Sequence, residues 1–416
     1  MGIIGVMHTI DKRSSLGPPA PRASAPEPAR LNAADALNSP DCPPRAAYVH
    51  VPFCAHRCGY CNFTLIAGRD DLISRYLEAL RQELSWLETP RSVDTLFLGG
   101  GTPTHLPPAA LDRLCQIVLD WFRPLPEAEI TVEANPAGLD ADRVDILAAH
   151  GVTRLSLGAQ SFDLAKLRTL ERDHAPADIA AAVELARERL KSISLDLIFA
   201  APGETLDVWR ADLAAALRLR PDHVSTYGLT FERGTTFWGR LQRAQLNPAG
   251  EELERAMYAE AIERLAAAGF EHYEVSNFAQ PGHRCRHNEH YWAAREYYAA
   301  GPGAARYIAG RREVNHRSTT TWMRRVQSGQ SPVAEQEELL PEDRAREALV
   351  LGLRRLAGVD RREFARQTGF EVDALVGAEL GELVKLGMLS DCGERVRLTR
   401  AGLLVSDAIW GRFLRC

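Results

Sequence analysis

The sequence predicts an α/β protein built on a partial (β/α)6, TIM-like barrel, followed by a smaller C-terminal, winged-helix-like α+β domain. Three observations predict it. Between residues 45 and 280, six short β-rich runs alternate with amphipathic helical segments, the rhythm of consecutive βα units around a parallel sheet. Polar residues stand at or near the ends of those runs (Cys54, Gly99 to Thr102, Glu133, Gln160, Asp196 and Tyr227), where barrels of this kind carry their chemistry. From about residue 341 the rhythm gives way to helical segments and then a short strand pair.

Taken in order, residues 1–44 are rich in Pro, Ala, Ser and Arg and carry no periodic apolar pattern, so burial cannot offset their ordering entropy. They read as a disordered leader. Asp11, Glu27, Asp35 and Asp41 speak against a transit peptide, and Met7 is an alternative start. The barrel strands are expected at residues 46–53, 93–99, 129–134, 153–158, 193–199 and 223–228. After the first strand, Leu72, Ile73, Tyr76, Leu77, Leu80, Leu84 and Leu87 recur at a 3.6-residue period and predict one apolar helix face. The rhythm is lost beyond residue 280, where residues 281–340 form a connecting segment dense in His and aromatics. Residues 341–416 form the C-terminal domain. Its segment Glu379-Leu380-Gly381-Glu382-Leu383-Val384, at the position of a recognition helix, is acidic and apolar, which favours packing or partner docking over DNA.

Composition narrows the function classes. With 50 basic against 55 acidic residues and a net charge of −5, nothing suggests a polyanion partner, so no nucleic acid is expected. No apolar run reaches the ~20 residues of a membrane span. Three of the eight cysteines cluster and the rest scatter, which favours metal in a reducing cytoplasm over a disulfide framework.

Cys54, Cys58 and Cys61 have the spacing Cys-x3-Cys-x2-Cys, which lets three thiolates from one loop converge on a common centre. Zinc wants a fourth Cys or His, and His56 is too close in the loop to supply it comfortably. A [4Fe–4S] cluster with three protein ligands leaves one iron open to a substrate or cofactor. Iron–sulfur is the preferred reading and structural zinc the alternative. Glu133 and Asp196, as acids at strand ends, read either as site carboxylates or as solvated loop acids and caps.

Together with an aromatic residue before the last cysteine and a first-strand position, this loop resembles that of the radical S-adenosylmethionine (SAM) superfamily. The resemblance implies that the open iron chelates SAM and that electron transfer from the cluster cleaves it to methionine and a 5′-deoxyadenosyl radical. The segments Tyr48-x-His50-x-Pro52-Phe53-Cys54, Gly99 to Pro103, Ser156 to Phe162, Asp196-Leu197-Ile198 and Tyr227 to Thr235 are similar to the oxygen-independent coproporphyrinogen oxidase family, over about residue 43 to the end. That resemblance implies a SAM site of Tyr48, Tyr60, Gly100, Gly101, Thr102, Glu133, Gln160, Arg172, Asp196 and Gly228. Arg172, with its guanidinium fork, fits the SAM carboxylate. Glu171, Ala200-Ala201-Pro202 and Ala299-Ala300-Gly301 depart from the glycines usual in the family.

Within that family the decarboxylating dehydrogenases carry a fourth cysteine two residues past the triad, and here that position is Phe63. The HemW-type heme chaperones have Phe there and an HNxxYW motif, matched by His287-Asn288-Glu289-His290-Tyr291-Trp292. An imidazole is a natural axial ligand for heme iron, and Tyr and Trp offer flat apolar surface to a macrocycle. On a helix His287 and Tyr291 share a face. Spacing alone favours aromatics that pack the barrel mouth and histidines that hydrogen-bond locally; the resemblance, with Phe63, reverses that and assigns heme to His287 and Tyr291, and not to His283 or His290. Cys285-x-His287 offers a thiol-containing variant of that site. The resemblance thus implies a cytoplasmic heme chaperone with a [4Fe–4S] cluster, SAM and heme as cofactors. It would have a reducing electron donor and acceptor hemoproteins, respiratory ones among them, through which it could associate peripherally with a membrane; monomer and dimer stay open. The alternative is an enzyme that oxidatively decarboxylates coproporphyrinogen III.

Overall fold

The computed structural model describes residues 43–415, so all but the last two residues of the expected leader lie outside the described part. Strand β1 (Ala46–Val51) is parted from β2 (Phe53–Cys54) by Pro52, which has no N–H to continue a ladder. The single run expected over 46–53 is therefore two strands. β2 pairs in parallel with β3 (Ile66–Ala67), and the cysteine loop lies between them. The other predicted runs are β4 (Arg91–Gly100), β5 (Phe122–Ala134), β6 (Arg154–Gln160), β7 (Ser192–Phe199) and β8 (His223–Gly228). Each is parallel to its neighbour in the order β1-β4-β5-β6-β7-β8.

The connecting helices are α1 (Ile73–Ser85), α2 (Pro108–Trp121), α3 (Ala141–Ala149), α4 (Leu164–Thr169), α5 (Pro176–Arg187) and α6 (Leu206–Arg218), with α7 (Thr236–Gln242) and α8 (Glu251–Ala267) after β8. On α1 the predicted stripe Ile73, Tyr76, Leu77, Leu80 and Leu84 is buried, as its period requires. The near-continuous apolar strands, such as β7 with every residue but Asp196 buried, follow from having helices on one face and a filled interior on the other.

Beyond β8 the chain adds elements that periodicity did not reveal. β9 (Glu271–Glu274) and β10 (Asn277–Ala279) extend one edge antiparallel, and β11 (Tyr298–Ala300) returns to pair in parallel with β1 at the other. β9 and β11 do not pair with each other, so the barrel is partial. The connecting segment also holds α9 (Arg286–Trp292), α10 (Thr319–Gln327) and a small antiparallel sheet of β12 (Ala305–Ile308), β13 (Arg311–Asn315) and β14 (Val333–Glu338). A buried carboxylate fastens it to the barrel: Glu83 on α1 accepts from Gly301 N–H at 2.9 Å, Asn315 Nδ2 at 2.6 Å and Trp322 Nε1 at 3.1 Å. Burial pushes its pKa up to about 7.

The C-terminal part runs α11 (Pro341–Arg354), β15 (Val359–Asp360), α12 (Arg361–Thr368), α13 (Val372–Lys385), β16 (Leu389–Asp391), β17 (Arg395–Leu398), α14 (Arg400–Leu403) and α15 (Ser406–Phe413). Helix–strand–helix–helix followed by a strand pair, in the sheet order β15-β17-β16, is the winged-helix arrangement. Gly369 ends α12 at φ +78°, a left-handed cap that glycine adopts without Cβ strain. The apolar residues of α13 (Val372, Leu375, Val376, Leu380 and Leu383) are buried in a core continuous with that of the barrel. Among the described residues no helix is long and apolar enough to cross a membrane.

Candidate functional site

The three clustered cysteines are free thiols. Cys54 closes β2, and the Cys61 N–H donates to the Cys58 carbonyl at 3.0 Å, which folds the loop into a turn. Cys54 Sγ lies 3.3 Å from Thr102 Oγ1. Arg172 reaches Cys58 Sγ through Nη1 at 3.4 Å, while its Nη2 donates to the Gly158 carbonyl at 3.0 Å and to Asn135 Oδ1. The Arg172 Nε is buried with no partner among the described residues. His56 Nε2 stands 3.6 Å from Cys58 Sγ and donates to the Glu171 carbonyl, so it ties the cysteine loop to the Arg172 segment. Burial pushes the Cys54 thiol up to about 12 and raises Cys61 as well. A thiol so held ionises when a cation is bound beside it. Among the described residues no three His, Cys, Asp or Glu side chains stand close enough to hold a single metal ion. A single zinc gathers its thiolates at about 2.3 Å, whereas thiolates on separate corners of a cubane stand wider apart. Three free thiols beside a half-buried cation, Arg172, fit a cluster.

Beside this loop a cavity of about 1070 Å³ occupies the barrel interior. That is the upper end of the roughly 300–1,000 Å³ of single-ligand pockets, so more than one ligand has room. Its wall includes Tyr48, Gly100, Glu133, Asp196, Gly228 and, from the cysteine loop, Phe63. The structure thus divides the residues expected at the site into two adjoining groups. Cys54, Cys58, Cys61, Tyr60, Gly101, Thr102, Gln160 and Arg172 are not on the cavity wall; they belong to the cysteine loop, the ends of β4 and β6, and the loop after α4. The glycine turn joins the groups: Gly101 N–H donates to the Val51 carbonyl at 2.9 Å, and Gly100 N–H to Glu133 Oε2 at 2.7 Å. Gly100 has φ +101°, and a Cβ there would meet the His50 ring at 2.2 Å, so this position accepts only glycine. Burial, against the Gly100 hydrogen bond and with some help from Asp196, raises the Glu133 carboxyl to about 7. Asp196 accepts from Ser156 Oγ at 3.1 Å.

His287, Asn288, Tyr291 and Trp292 form another part of the wall. They lie on α9, where His287 and Tyr291 share a face as the i, i+4 spacing predicts. The helix starts on a carboxylate: Glu129 accepts from the N–H groups of Arg286 and His287, each at 3.0 Å. His287 is 1% exposed, with Nδ1 2.9 Å from Thr95 Oγ1, Nε2 2.9 Å from Tyr291 Oη and the Phe97 ring centroid at 5.2 Å. Burial lowers its pKa well below the ordinary histidine value, which keeps the imidazole neutral and its lone pair free to bind a metal. His283 and His290 are engaged elsewhere, with Ser192 and the Glu296 carbonyl. Cys285 is fully buried with its thiol turned to Glu129, away from the cavity wall, which removes the thiol-containing variant of the site.

Two departures from the family's glycines fall on strained backbone. Glu171 has φ +55° and Ala200 φ +62°. Each pays roughly 1 kcal/mol for a left-handed conformation that glycine takes freely. Glu171 has partners that hold it there, a 2.7 Å ion pair to Arg240 and the contact from His56 to its carbonyl. Sequence reasoning missed Thr95, the residues 403–408 that line part of the cavity, and Arg154, a strand-leading arginine on the cavity wall.

Comparison with known proteins agrees with this geometry. Residues 48–215 match the Radical SAM superfamily and residues 339–405 the HemN C-terminal domain. Heme chaperone HemW of Bacillus subtilis is 35% identical over 375 residues, covering 89% of this chain and 99% of that protein. Heme chaperone HemW of Escherichia coli is 32% identical, covering 89% of this chain and 98% of that protein. Among solved structures, coproporphyrinogen III oxidase (HemN) from Escherichia coli, a radical SAM enzyme, superposes with a TM-score of 0.79 at 25% identity, over 89% of this chain and 90% of that one. Membership of the superfamily implies a [4Fe–4S] cluster and SAM. With nearly the whole length of its relatives matched, the chain belongs to the heme chaperone HemW family of the radical SAM superfamily.

Proposed function

We propose that this protein binds heme on His287 beside a SAM-binding [4Fe–4S] site and delivers the heme to acceptor hemoproteins. The observation that carries the reading is one cavity with Phe63 of the cysteine loop and His287, Tyr291 and Trp292 of α9 on the same wall. Where a decarboxylating enzyme carries a further thiol, this chain turns a phenyl ring to the cavity. Cys54, Cys58 and Cys61 would hold the cluster, which supplies an open coordination position and a source of electrons. Arg172, beside Cys58, would take the SAM carboxylate, and Tyr48, Tyr60, Gln160, Asp196 and Gly228 would contact the rest of SAM. Gly100, Gly101 and Thr102 offer backbone to the amino group. With its proton on Nδ1 facing Thr95, His287 presents its Nε2 lone pair toward Tyr291, and heme ligation exchanges that hydroxyl for iron. The lost hydrogen bond costs about 1 kcal/mol, little against a metal–nitrogen bond.

Transfer is the test. Protein loaded with heme and mixed with a heme-free acceptor hemoprotein should hand its heme over, seen as a shift of the Soret band to the acceptor's position. Heme that stays bound in the presence of every hemoprotein tried argues against delivery.

Glu133 gives a pH signature. Its carboxyl titrates near 7 without ligand, and the fixed sulfonium charge of SAM favours the carboxylate. Below pH 7 binding must therefore expel a proton, so SAM affinity should fall by up to about tenfold per pH unit as the pH drops from 7. Glu133→Gln should bind more weakly at pH 8 and lose this component of the dependence. Parallel pH profiles for the two proteins would remove Glu133 from the SAM site.

A further inference from the structure

Arg154 opens β6 with its side chain inside the barrel, on the cavity wall. It is 3% exposed, and its Nε is buried without a hydrogen-bond partner among the described residues. No ion pair joins it to a described carboxylate, although Glu129 and Asp196 both act on it electrostatically. Those two acids are already engaged: Glu129 accepts from Arg286 and His287 N–H and faces the Cys285 thiol at 3.7 Å, and Asp196 accepts from Ser156. Two further groups on the same wall, Thr226 Oγ1 and Trp292 Nε1, are likewise buried and unpaired. A buried guanidinium N–H left without an acceptor is costly in a folded protein, and a ligand that brings a carboxylate to this guanidinium offsets the cost.

We propose that Arg154 receives a carboxylate of the ligand that occupies this cavity, which under the heme reading above, on which this inference rests, is a propionate of the macrocycle. The planar fork of arginine matches a carboxylate in bidentate fashion. Arg154 and His287 are near enough for the charge of one to act on the other, so one macrocycle could be held by its iron and by an edge carboxylate together. Binding would then depend on the free acid groups of the porphyrin as well as on its metal. Arg154 is a positioning and specificity residue in this account, since it touches neither cluster nor iron.

The test compares heme with heme dimethyl ester, whose propionates are masked, in Soret titrations of the reconstituted full chain. The wild-type protein should bind heme roughly ten- to hundredfold more tightly than the ester, the effect of a charge-assisted pair in a buried site. Arg154→Met should bind both with equal, ester-like affinity and an unchanged Soret position, because His287 still holds the iron. Arg154→Lys, which keeps the charge without the fork, should recover part of the preference. A wild-type protein that binds heme and ester equally overturns the inference, as does Arg154→Met or Arg154→Lys with an undiminished preference. A protein that binds neither compound overturns the heme reading itself, a result distinct from the loss of ester discrimination.

Discussion

Replacing Cys54, Cys58 or Cys61 by alanine is expected to empty the protein of iron. Reconstituted wild-type chain should carry about four irons, the content of one [4Fe–4S] cluster. Each single variant should retain less than about one, because a cubane with two protein thiolates is open at two corners and is lost to solvent. The effect should be equal at the three positions although their surroundings differ, Cys58 being buried and the other two half-buried. Cys115→Ala and Cys285→Ala are the controls. Both thiols are buried away from the loop, in α2 and before α9, and their removal should leave iron content unchanged. Iron and sulfide analysis decides it. A variant of the triad that loads like wild type, or a loss of iron in Cys285→Ala, would contradict the ligand set.

The second large effect is on heme. His287→Ala should weaken heme binding by roughly a hundredfold or more, beyond the ten- to hundredfold usual for the loss of a partner that merely orients a metal ligand. Thr95→Val tests that lesser class: it removes the group 2.9 Å from Nδ1 and should cost about tenfold. Tyr291→Phe should go the other way. Its hydroxyl occupies Nε2 in the heme-free protein, so the variant should bind heme at least as well as the parent. If Tyr291→Phe loses heme and His287→Ala keeps it, the tyrosine is the ligand and the assignment is reversed.

The parts of this site that could be read from sequence are those whose geometry is local. Cysteines spaced by three and two residues must share a loop, and His287 and Tyr291 must share a helix face wherever the helix goes. Strand ends were readable because apolar runs and glycine turns mark them: the barrel strands end within a few residues of the expected positions, although β5 begins at Phe122, well ahead of the expected Glu129, and Pro52 splits the first run. What could not be read depends on distant partners. Thr95 meets His287 across 192 positions of sequence. β11 has three small or aromatic residues and becomes a strand only because the edge of β1 is free to pair with it. Arg154 looks from sequence like a solvated charge ahead of an apolar run; strand alternation puts it on one face with Ser156, and only the fold makes that face the cavity wall. Glu171 and Ala200 were visible as exceptions to the family's glycines, but their positive φ angles, which explain why glycine is usual there, are a property of the folded chain.

Carrier and enzyme differ most directly in what one anaerobic incubation leaves behind. Reconstituted protein given SAM and a strong reductant, and presented in parallel with heme and with coproporphyrinogen III, should hold the heme as a stable complex with a defined Soret band and return the coproporphyrinogen with its propionates intact. Conversion of those propionates to vinyl groups, with no heme complex formed, would make this chain a decarboxylating enzyme and contradict the reading of Phe63 and His287 together.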